Sequence, residues 1–336
     1  MLWKWVCTVV VLGVMAVACS GSSDGRGHEA GRLPLRTVRD VRLPGGTTRF
    51  DYQSIDPAAR RLYVAQLGDS AIAVVDLNRL RPVATIDHIA DVHGVLAVPE
   101  LNRVFATATG TDQLVAIDAT TNHVVGRVPI GRFPDGLAYD PVDNFVLVSN
   151  ENAGSETIID AHTLATRGTV KLGDEVGNVT YDPTPRLAWV AVRTPEQLVA
   201  FDPATRRVAI RIALPGCEGV HGVYLTNAAR AFVACEHNAR LAVVDRTGRR
   251  LVGLVRVGAD PDVLAADPIN GRLYVAAESG TLTVLVTQPT VRVLARGHLA
   301  DTAHTVAVDP RDEQVLFPLE DVGGHPVLRV TCPVAS

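Results

Sequence analysis

The chain has 336 residues, of which 47% are hydrophobic and 20% are charged. This length and composition suffice for one large domain or two ordinary domains with a buried core, and they exclude disordered and fibrous proteins. The 32 Lys and Arg residues against 36 Asp and Glu residues give a formal net charge of -4. No overall positive field therefore favours nucleic acid, and we expect no nucleic-acid partner.

The N-terminus has the features of a secretory signal. Lys4 precedes an apolar run from Val6 to Val17 that is too short to span a bilayer, and small residues follow it. Ala16-Val17-Ala18-Cys19 resembles a bacterial lipobox, in which the signal is cleaved before a cysteine that is then lipidated. We expect residues 1–18 to be a lipoprotein signal peptide and Cys19 to carry the lipid; in a plain secretory signal Cys19 stays unmodified.

The residues that follow the signal are small, polar and rich in glycine up to Gly31, so residues 19–34 are expected to form a flexible tether. The folded domain is expected to span residues 35–336. A globular domain on a short lipid-anchored tether belongs at the bacterial cell envelope, facing the periplasm or the exterior.

A unit of about 42 residues recurs seven times along this domain. Its anchor position is an Asp-Pro pair in five copies, and the seven anchors fall at residues 57, 99, 141, 183, 226, 268 and 310. Each unit holds four short runs rich in Val, Ile, Leu and Ala, separated by turn-forming residues, which indicates a four-stranded antiparallel sheet. No sustained helical period occurs. The sequence therefore predicts an all-β, seven-bladed β-propeller.

The ends of the domain predict how the ring closes. Residues 36–45 match the fourth strand of a unit but precede the first unit, and the last unit ends near Val330, after its third strand. We expect the N-terminal strand to complete the last blade and to protect the strand edges there.

Several strings in the units resemble the YVTN-type repeats of YncE-like and surface-layer propeller proteins. They are Leu62-Tyr63-Val64-Ala65, Leu273-Tyr274-Val275-Ala276 and Gly136-Leu137-Ala138-Tyr139-Asp140-Pro141. The Trp-Asp signature of WD-type repeats is absent from the sequence, and Trp189 is its only tryptophan beyond the signal. The resemblance implies the propeller fold and says little about activity, because propellers host many functions.

One position of the unit carries ionisable residues that the shared backbone does not require. It lies at the start of the predicted innermost strand, and its occupants are Asp51, His93, Asp135, Gly177, His221, Asp262 and His304. Innermost strands surround the central channel, so these side chains are expected to form a ring near one mouth. Antiparallel pairing brings the ends of the second strands beside them, where the sequence has Glu151, Arg193, Glu236, Glu278 and Glu320.

Histidines beside carboxylates bind divalent cations or serve as general acids and bases. The ligand-binding candidates are Asp51, His93, Asp135, Arg193 and Asp262. The candidate ligands for a divalent metal are His221, Asp262, His304, Glu236, Glu278 and Glu320, and His221 and His304 are the candidate catalytic residues. In the alternative interpretation, Asp or His at this position only caps the loop that enters the inner strand.

Part of this pattern is similar to the streptogramin lyases, which are also seven-bladed. His93-Gly94-Val95 and His221-Gly222-Val223 are similar to the His-Gly of that family at the start of an inner strand. Glu236 falls one position later than the family's glutamate at the end of the second strand. The likeness implies a magnesium-assisted elimination.

The cysteines allow two interpretations. Cys217 and Cys235 lie at the same end of one predicted hairpin, which permits a disulfide in an exported protein. The alternative is a soft metal, zinc or copper, held by Cys217, His221, Cys235 and His237. Cys332 is expected to be a free or buried thiol.

Together these features favour an exported, lipid-anchored, monomeric propeller that binds a small molecule or a protein at the channel mouth. No cofactor is certain, and a divalent metal ion is the candidate. The first alternative is a metal-assisted lyase or hydrolase that uses the ring of His, Asp and Glu, and the second is a structural envelope protein. Phosphate-binding loops, nucleophile elbows and heme-attachment motifs are absent from the sequence.

Overall fold

A computed structural model describes residues 32–226 and 229–334. The signal peptide, Cys19 and the tether up to residue 31 lie outside these ranges. The described residues form seven four-stranded antiparallel sheets arranged in a ring, which confirms the predicted all-β, seven-bladed propeller. None of the helices within the described ranges has the length and hydrophobicity needed to cross a membrane.

The first strand of the described residues is β1 (Leu35–Arg42), and the first three blades follow, each built from the innermost strand outward. The first blade contains β2 (Gln53–Asp56), β3 (Arg61–Gln66), β4 (Ala71–Asp76) and β5 (Arg81–Ile86). The second contains β6 (Val92–Val98), β7 (Arg103–Ala108), β8 (Gln113–Asp118) and β9 (Val124–Pro129). The third contains β10 (Pro134–Asp140), β11 (Phe145–Asn150), β12 (Ser155–Asp160) and β13 (Thr166–Lys171).

The next three blades repeat this order. The fourth contains β14 (Val176–Asp182), β15 (Leu187–Val192), β16 (Gln197–Asp202) and β17 (Arg207–Ala213). The fifth contains β18 (Val220–Leu225), β19 (Arg230–Cys235), β20 (Arg240–Asp245) and β21 (Arg250–Arg256). The sixth contains β22 (Pro261–Asp267), β23 (Arg272–Ala277), β24 (Thr281–Val286) and β25 (Arg292–His298). Short 3-10 turns lie at Leu67–Asp69, Pro99–Leu101, Thr109–Thr111, Glu151–Ala153 and Glu236–Asn238.

The last blade combines both ends of the domain. It contains β26 (Ala307–Val308), β27 (Val315–Leu319) and β28 (Val327–Pro333), and β1 pairs antiparallel with β28 on the outside. This arrangement confirms the predicted closure by the N-terminal strand. A buried ion pair adds to it, because Arg60 of the first blade donates two hydrogen bonds of 2.7 Å to the Asp309 carboxylate of the last blade.

The core lies between neighbouring blades. Successive side chains of a strand point to opposite faces of its sheet, and in a propeller both faces of a blade are covered by the next blade. The second and third strands are therefore largely apolar on both faces; Leu62 and Val75 of the first blade, for example, pack with Leu316 and Leu328 of the last. The repeated aspartates have the structural role expected of turns: Asp56 Oδ1 accepts hydrogen bonds from the amides of Ala58 and Ala59.

Candidate functional site at the channel mouth

A β-bulge positions the ring residues in five of the seven blades. In the second blade, Val92 pairs with Ala108 and Val95 with Ala106, so that His93 and Gly94 together face Thr107. The same shift occurs at Asp135-Gly136, Gly177-Asn178, His221-Gly222 and Asp262-Val263. A bulge bends the strand and redirects a side chain, and here it gives the ring position its own orientation at the start of each inner strand.

Two glycines beside the ring residues allow the inner strands to approach closely. A Cβ atom at Gly94 would lie 2.3 Å from the backbone oxygen of Asp135, and one at Gly222 would lie 2.0 Å from that of Asp262. Because no side chain fits in this space, glycine lets adjacent blades bring their ring residues together.

The ring residues surround a cavity of about 200 Å³ at the channel mouth. Of the residues proposed from the sequence, the cavity is lined by Asp51, His93, Asp135, Glu151, Arg193, His221, Glu236, Asp262 and Glu278. His304 lies behind this lining, with Nδ1 3.4 Å from Glu278 Oε2. Glu320 does not line the cavity and belongs to neither of the two possible metal-ligand groups among the described residues.

His221 lies at the centre of the charged groups. Its Nε2 atom is 3.3 Å from Asp262 Oδ1 and 3.6 Å from Asp135 Oδ2, and its Nδ1 atom is 2.8 Å from Arg193 Nη2. Burial opposes protonation of His221, but the carboxylates of Glu236 and Asp262 outweigh it and raise the pKa of the imidazole to about 10. Arg193 acts in the other direction, since its guanidinium can donate to Nδ1 only when that nitrogen is deprotonated.

The buried carboxyls of the ring have pKa values that diverge. Burial raises the pKa of Asp51 to about 7, and the nearby Asp262 carboxylate adds to the shift. Burial likewise raises the pKa of Asp135 to about 7, against the attraction of His221. For Asp262, burial is outweighed by the hydrogen bond and charge of His221 and by His304, which lower its pKa to about 2. Asp262 is therefore ionised at neutral pH, while Asp51 and Asp135 are close to half protonation.

The lining of the cavity is strongly acidic. Six carboxyl side chains face the guanidinium groups of Arg49 and Arg193, the His221 imidazole, which is protonated at neutral pH, and the imidazole of His93. Arg193 binds Glu236 at 2.8 Å and Glu151 at 3.2 Å, and Arg49 binds Glu278 at 2.5 Å. The carboxylates outnumber their partners, so the mouth is an attractive place for a positive charge.

A tyrosine that the sequence analysis did not identify crosses the channel. The Tyr52 hydroxyl of the first blade accepts a hydrogen bond from Asn178 of the fourth blade, lies 3.2 Å from His221 Nε2, and donates to Asp262 Oδ1 at 3.2 Å. Tyr52 and Asp262 also line a second cavity of about 390 Å³ deeper in the channel. The phenol ring is thus the floor of the mouth.

The sequence distinguishes Tyr52 and Asn178 from the equivalent residues of three other blades. Tyr52 and Asn178 occupy the position immediately after the ring position, where three other blades have Gly94, Gly136 and Gly222. Two large polar side chains in place of glycine distinguish the first and fourth blades. Arg49 and Phe133, which also line the mouth, lie in loops before the inner strands. Both stand two residues before the ring position, but no common residue type marks that position in the other blades.

Two of the cysteines lie in the fifth blade, next to Glu236 of the mouth. Cys217 and Cys235 form a disulfide, so the alternative with a soft metal bound by these two thiols, His221 and His237 does not apply. Cys235 directly precedes Glu236, and the bond holds this part of the wall in place. Cys332 is buried as expected, but it is disulfide-bonded and not a free thiol.

Comparisons with known proteins support the fold alone. No protein-family model matches the chain. No curated protein matches it either. Among solved structures, a chain of Kuenenia stuttgartiensis hydrazine synthase has a TM-score of 0.73 at 13% identity, covering 87% of this chain and 97% of that one. The structure of U3-55K has a TM-score of 0.74 at 10% identity, and the match covers 89% of this chain and 98% of that one. The WD40 repeats of RRP9 have a TM-score of 0.73 at 10% identity, and the match covers 88% of this chain and 99% of that one. At such identities the likeness carries no function.

Proposed function

We propose that this chain is an exported, lipid-anchored propeller of the YVTN type that binds a positively charged ligand in its acidic channel mouth. The observation that carries the proposal is the surplus of carboxylates over guanidinium groups around a cavity of about 200 Å³. A concave site lined by one sign of charge concentrates the electric field and raises the local concentration of the opposite charge. The ligand is a small cation or a basic group of a protein.

The floor formed by Tyr52 determines the direction of entry. Its hydroxyl is bound by Asn178 and Asp262, so the ring is fixed between the mouth and the deeper cavity. A ligand in the acidic cavity therefore enters from the mouth side. A ligand that fills the cavity of about 200 Å³ contacts several blades at once. A binding protein of this kind is expected to tolerate the loss of a single contact.

Lipid anchoring fits the topology of the last blade. β1 is the outermost strand of that blade, so the described residues begin at the rim of the propeller and not at the channel mouth. The test is membrane fractionation of bacteria that express the full chain or its Cys19→Ala variant. We expect the full chain in the detergent-soluble membrane fraction and the variant in the released fraction; membrane retention of both would contradict the anchor.

Binding is tested with organic cations. The full chain, purified in detergent, is titrated with putrescine and arginine amide by calorimetry, with acetate and glutarate as anionic comparators at the same ionic strength. We expect the cations alone to bind, with an affinity that falls as salt is added. Glu151→Gln, which removes a lining carboxylate, should weaken binding, whereas Glu100→Gln at an exposed site outside the mouth should not. Equal binding of anions, or no binding of cations, would overturn the proposal.

A metal-assisted lyase or hydrolase is the second candidate. It is favoured by the proximity of His221 and Glu236, the two residues of the partial likeness to streptogramin lyases, whose Nδ1 and Oε1 atoms lie 3.6 Å apart. The test is turnover of a panel of esters and lactones with and without Mn²⁺, by the full chain and by His221→Ala. Turnover lost in the variant would favour the enzyme. A purely structural envelope protein, the remaining alternative, does not require a buried ionisable ring.

A further inference from the structure

We propose that the mouth holds one divalent metal ion of the zinc and manganese class, bound by His304, Asp262 and Glu278. The inference rests on the proposed function and deepens it, because it names the cation that occupies part of the acidic mouth. The geometry of three side chains from two neighbouring blades carries it. These three side chains offer ligand atoms that all lie within 4.8 Å of one another.

His304 has the orientation of a metal ligand. The side chain is fully buried, and its Nδ1 atom lies 2.8 Å from the backbone oxygen of Thr302. A carbonyl oxygen only accepts, so Nδ1 carries the proton and Nε2 presents a lone pair in the neutral ring. Within the described residues, Nε2 has no hydrogen-bond partner. Metal-bound histidines are commonly fixed in this way, with the second nitrogen donating to a carbonyl.

The carboxylates supply the remaining ligands. Asp262 Oδ2 lies 4.0 Å from His304 Nε2, and Glu278 Oε2 lies 3.4 Å from His304 Nδ1. Ligand bonds of about 2.1 Å place two ligand atoms roughly 3 to 3.5 Å apart, so Asp262 Oδ2 needs to approach Nε2 by under about 1 Å. Glu278 Oε2 lies beside Nδ1, and its side chain has to turn towards Nε2 to complete the site. Asp262 starts the inner strand β22 and Glu278 follows the paired strand β23, where its amide donates to Asp260. The backbone that carries both ligands is therefore rigid.

The type of donor atom selects the metal. One imidazole and two carboxylates form a mixed nitrogen and oxygen set, which suits zinc and manganese better than the all-oxygen preference of calcium or magnesium. Three protein ligands leave a position open for water or for a ligand that enters the mouth. Arg49 binds Oε1 of Glu278 at 2.5 Å and leaves Oε2 for the ion.

In the second group of possible ligands, His221, Glu236 and Asp262, a guanidinium contacts the imidazole itself. Arg193 Nη2 lies 2.8 Å from His221 Nδ1 and 2.8 Å from Glu236 Oε2. The other ring nitrogen, Nε2, faces the Tyr52 hydroxyl and Asp262. Both nitrogens of His221 therefore have polar neighbours, whereas Nε2 of His304 has no hydrogen-bond partner within the described residues, and the metal is assigned to the His304 side of Asp262.

The test is metal binding by the full chain, purified in detergent and stripped with a chelator. After equilibration with Zn²⁺ or Mn²⁺, we expect one equivalent of metal by mass spectrometry. Calorimetry should show an affinity at least about 100-fold weaker for His304→Gln, because a direct ligand is lost. The matched control is His93→Gln, since His93 occupies the equivalent ring position and has the same Nδ1 contact, 2.9 Å from the oxygen of Asp91. His221→Gln tests the other group: its metal affinity should fall less than that of His304→Gln, because His221 contacts the ligand Asp262 and not the ion. His93→Gln should retain the metal.

Three results would overturn the assignment: no stoichiometric metal, loss of metal in His221→Gln with retention in His304→Gln, or equal affinity in all variants. X-ray absorption of the zinc-loaded unmodified protein covers the case in which His304→Gln fails to fold. It should show a single imidazole among oxygen ligands, and two imidazoles or any sulfur would contradict the site. If putrescine binds and Glu151→Gln weakens that binding while no metal binds, the metal inference fails and the proposed function stands.

Discussion

Replacement of Glu156 by leucine is expected to stabilise the propeller. Glu156 is fully buried in β12, and within the described residues neither of its carboxylate oxygens has a hydrogen-bond partner. It pairs with Ser149, and the equivalent positions of the other blades are all aliphatic: Ile72, Leu114, Leu198, Leu241, Leu282 and Leu328. The third blade thus has a carboxyl where the repeat places core leucines.

The magnitude follows from two contributions. Full burial of a leucine side chain contributes about 1.5 to 3 kcal/mol, and an unpaired buried polar group costs about 1 to 3 kcal/mol. We expect Glu156→Leu to raise the free energy of unfolding at pH 7 by about 3 kcal/mol, which corresponds to roughly 6 °C in melting temperature for a domain of this size. Imperfect packing of the new side chain reduces the gain from the sum of the two contributions.

The same change should alter the pH dependence of stability. Burial raises the pKa of Glu156 well above its usual value of 4.5. A carboxyl with a raised pKa in the folded state favours folding most below its unfolded pKa, and that contribution is lost as the pH rises. The advantage of Glu156→Leu should therefore be smallest near pH 4 and should grow towards pH 8.

Thermal unfolding followed by circular dichroism between pH 4 and pH 8 measures both effects. Glu156→Gln is the matched control, because it keeps the size and polarity of the side chain but cannot ionise. It should lose the part of the pH dependence that comes from Glu156 while remaining less stable than Glu156→Leu. A leucine variant that is less stable than the unmodified protein at pH 8, or a difference that does not change with pH, would refute this reasoning.

Two further substitutions test the closure and the mouth. Arg60→Met leaves the buried Asp309 and the partly buried Asp312 without their partner and should cost about 3 to 5 kcal/mol in denaturant unfolding. Arg79→Met removes an exposed arginine from Asp76, which keeps Arg61, and should cost under about 1 kcal/mol; equal costs would show that the closure does not depend on Arg60. Burial raises the pKa of Asp135 to about 7 from 3.8, so its contribution to stability is lost as the pH rises through this range. The melting temperature of Asp135→Asn should therefore exceed that of the unmodified protein at pH 8 by more than at pH 5, and a constant difference would contradict the shift.

The fold could be predicted from the sequence because each blade repeats the same local sequence pattern. A turn aspartate such as Asp56 and an apolar run such as that of β3 recur at a fixed offset, and antiparallel pairing converts equal offsets into equal places in every blade. The same logic placed His221 and Asp262 together, because each begins an inner strand.

The rest of the mouth depends on features that do not repeat. Tyr52 reaches its partners Asn178 and Asp262 only because the ring closes at a particular diameter, and no offset along the chain encodes that distance. Glu320 was placed at the mouth by the repeat, but the inner strand of its blade, β26, is reduced to Ala307–Val308, and the glutamate does not reach the cavity. The choice of proton position in His304 is likewise set by a local contact with Thr302.

The fold does not determine which residue type occupies the ring position. Gly177 occupies it in the fourth blade, so the bulged backbone forms without any side chain there. The carboxyls of Asp51 and Asp135, by contrast, are buried with raised pKa values, and this weakens folding at neutral pH. The interfaces between blades compensate for that weakness from outside the site. Residues that the backbone does not require and that reduce stability are best explained by a bound positive charge, which would offset their repulsion when it occupies the mouth.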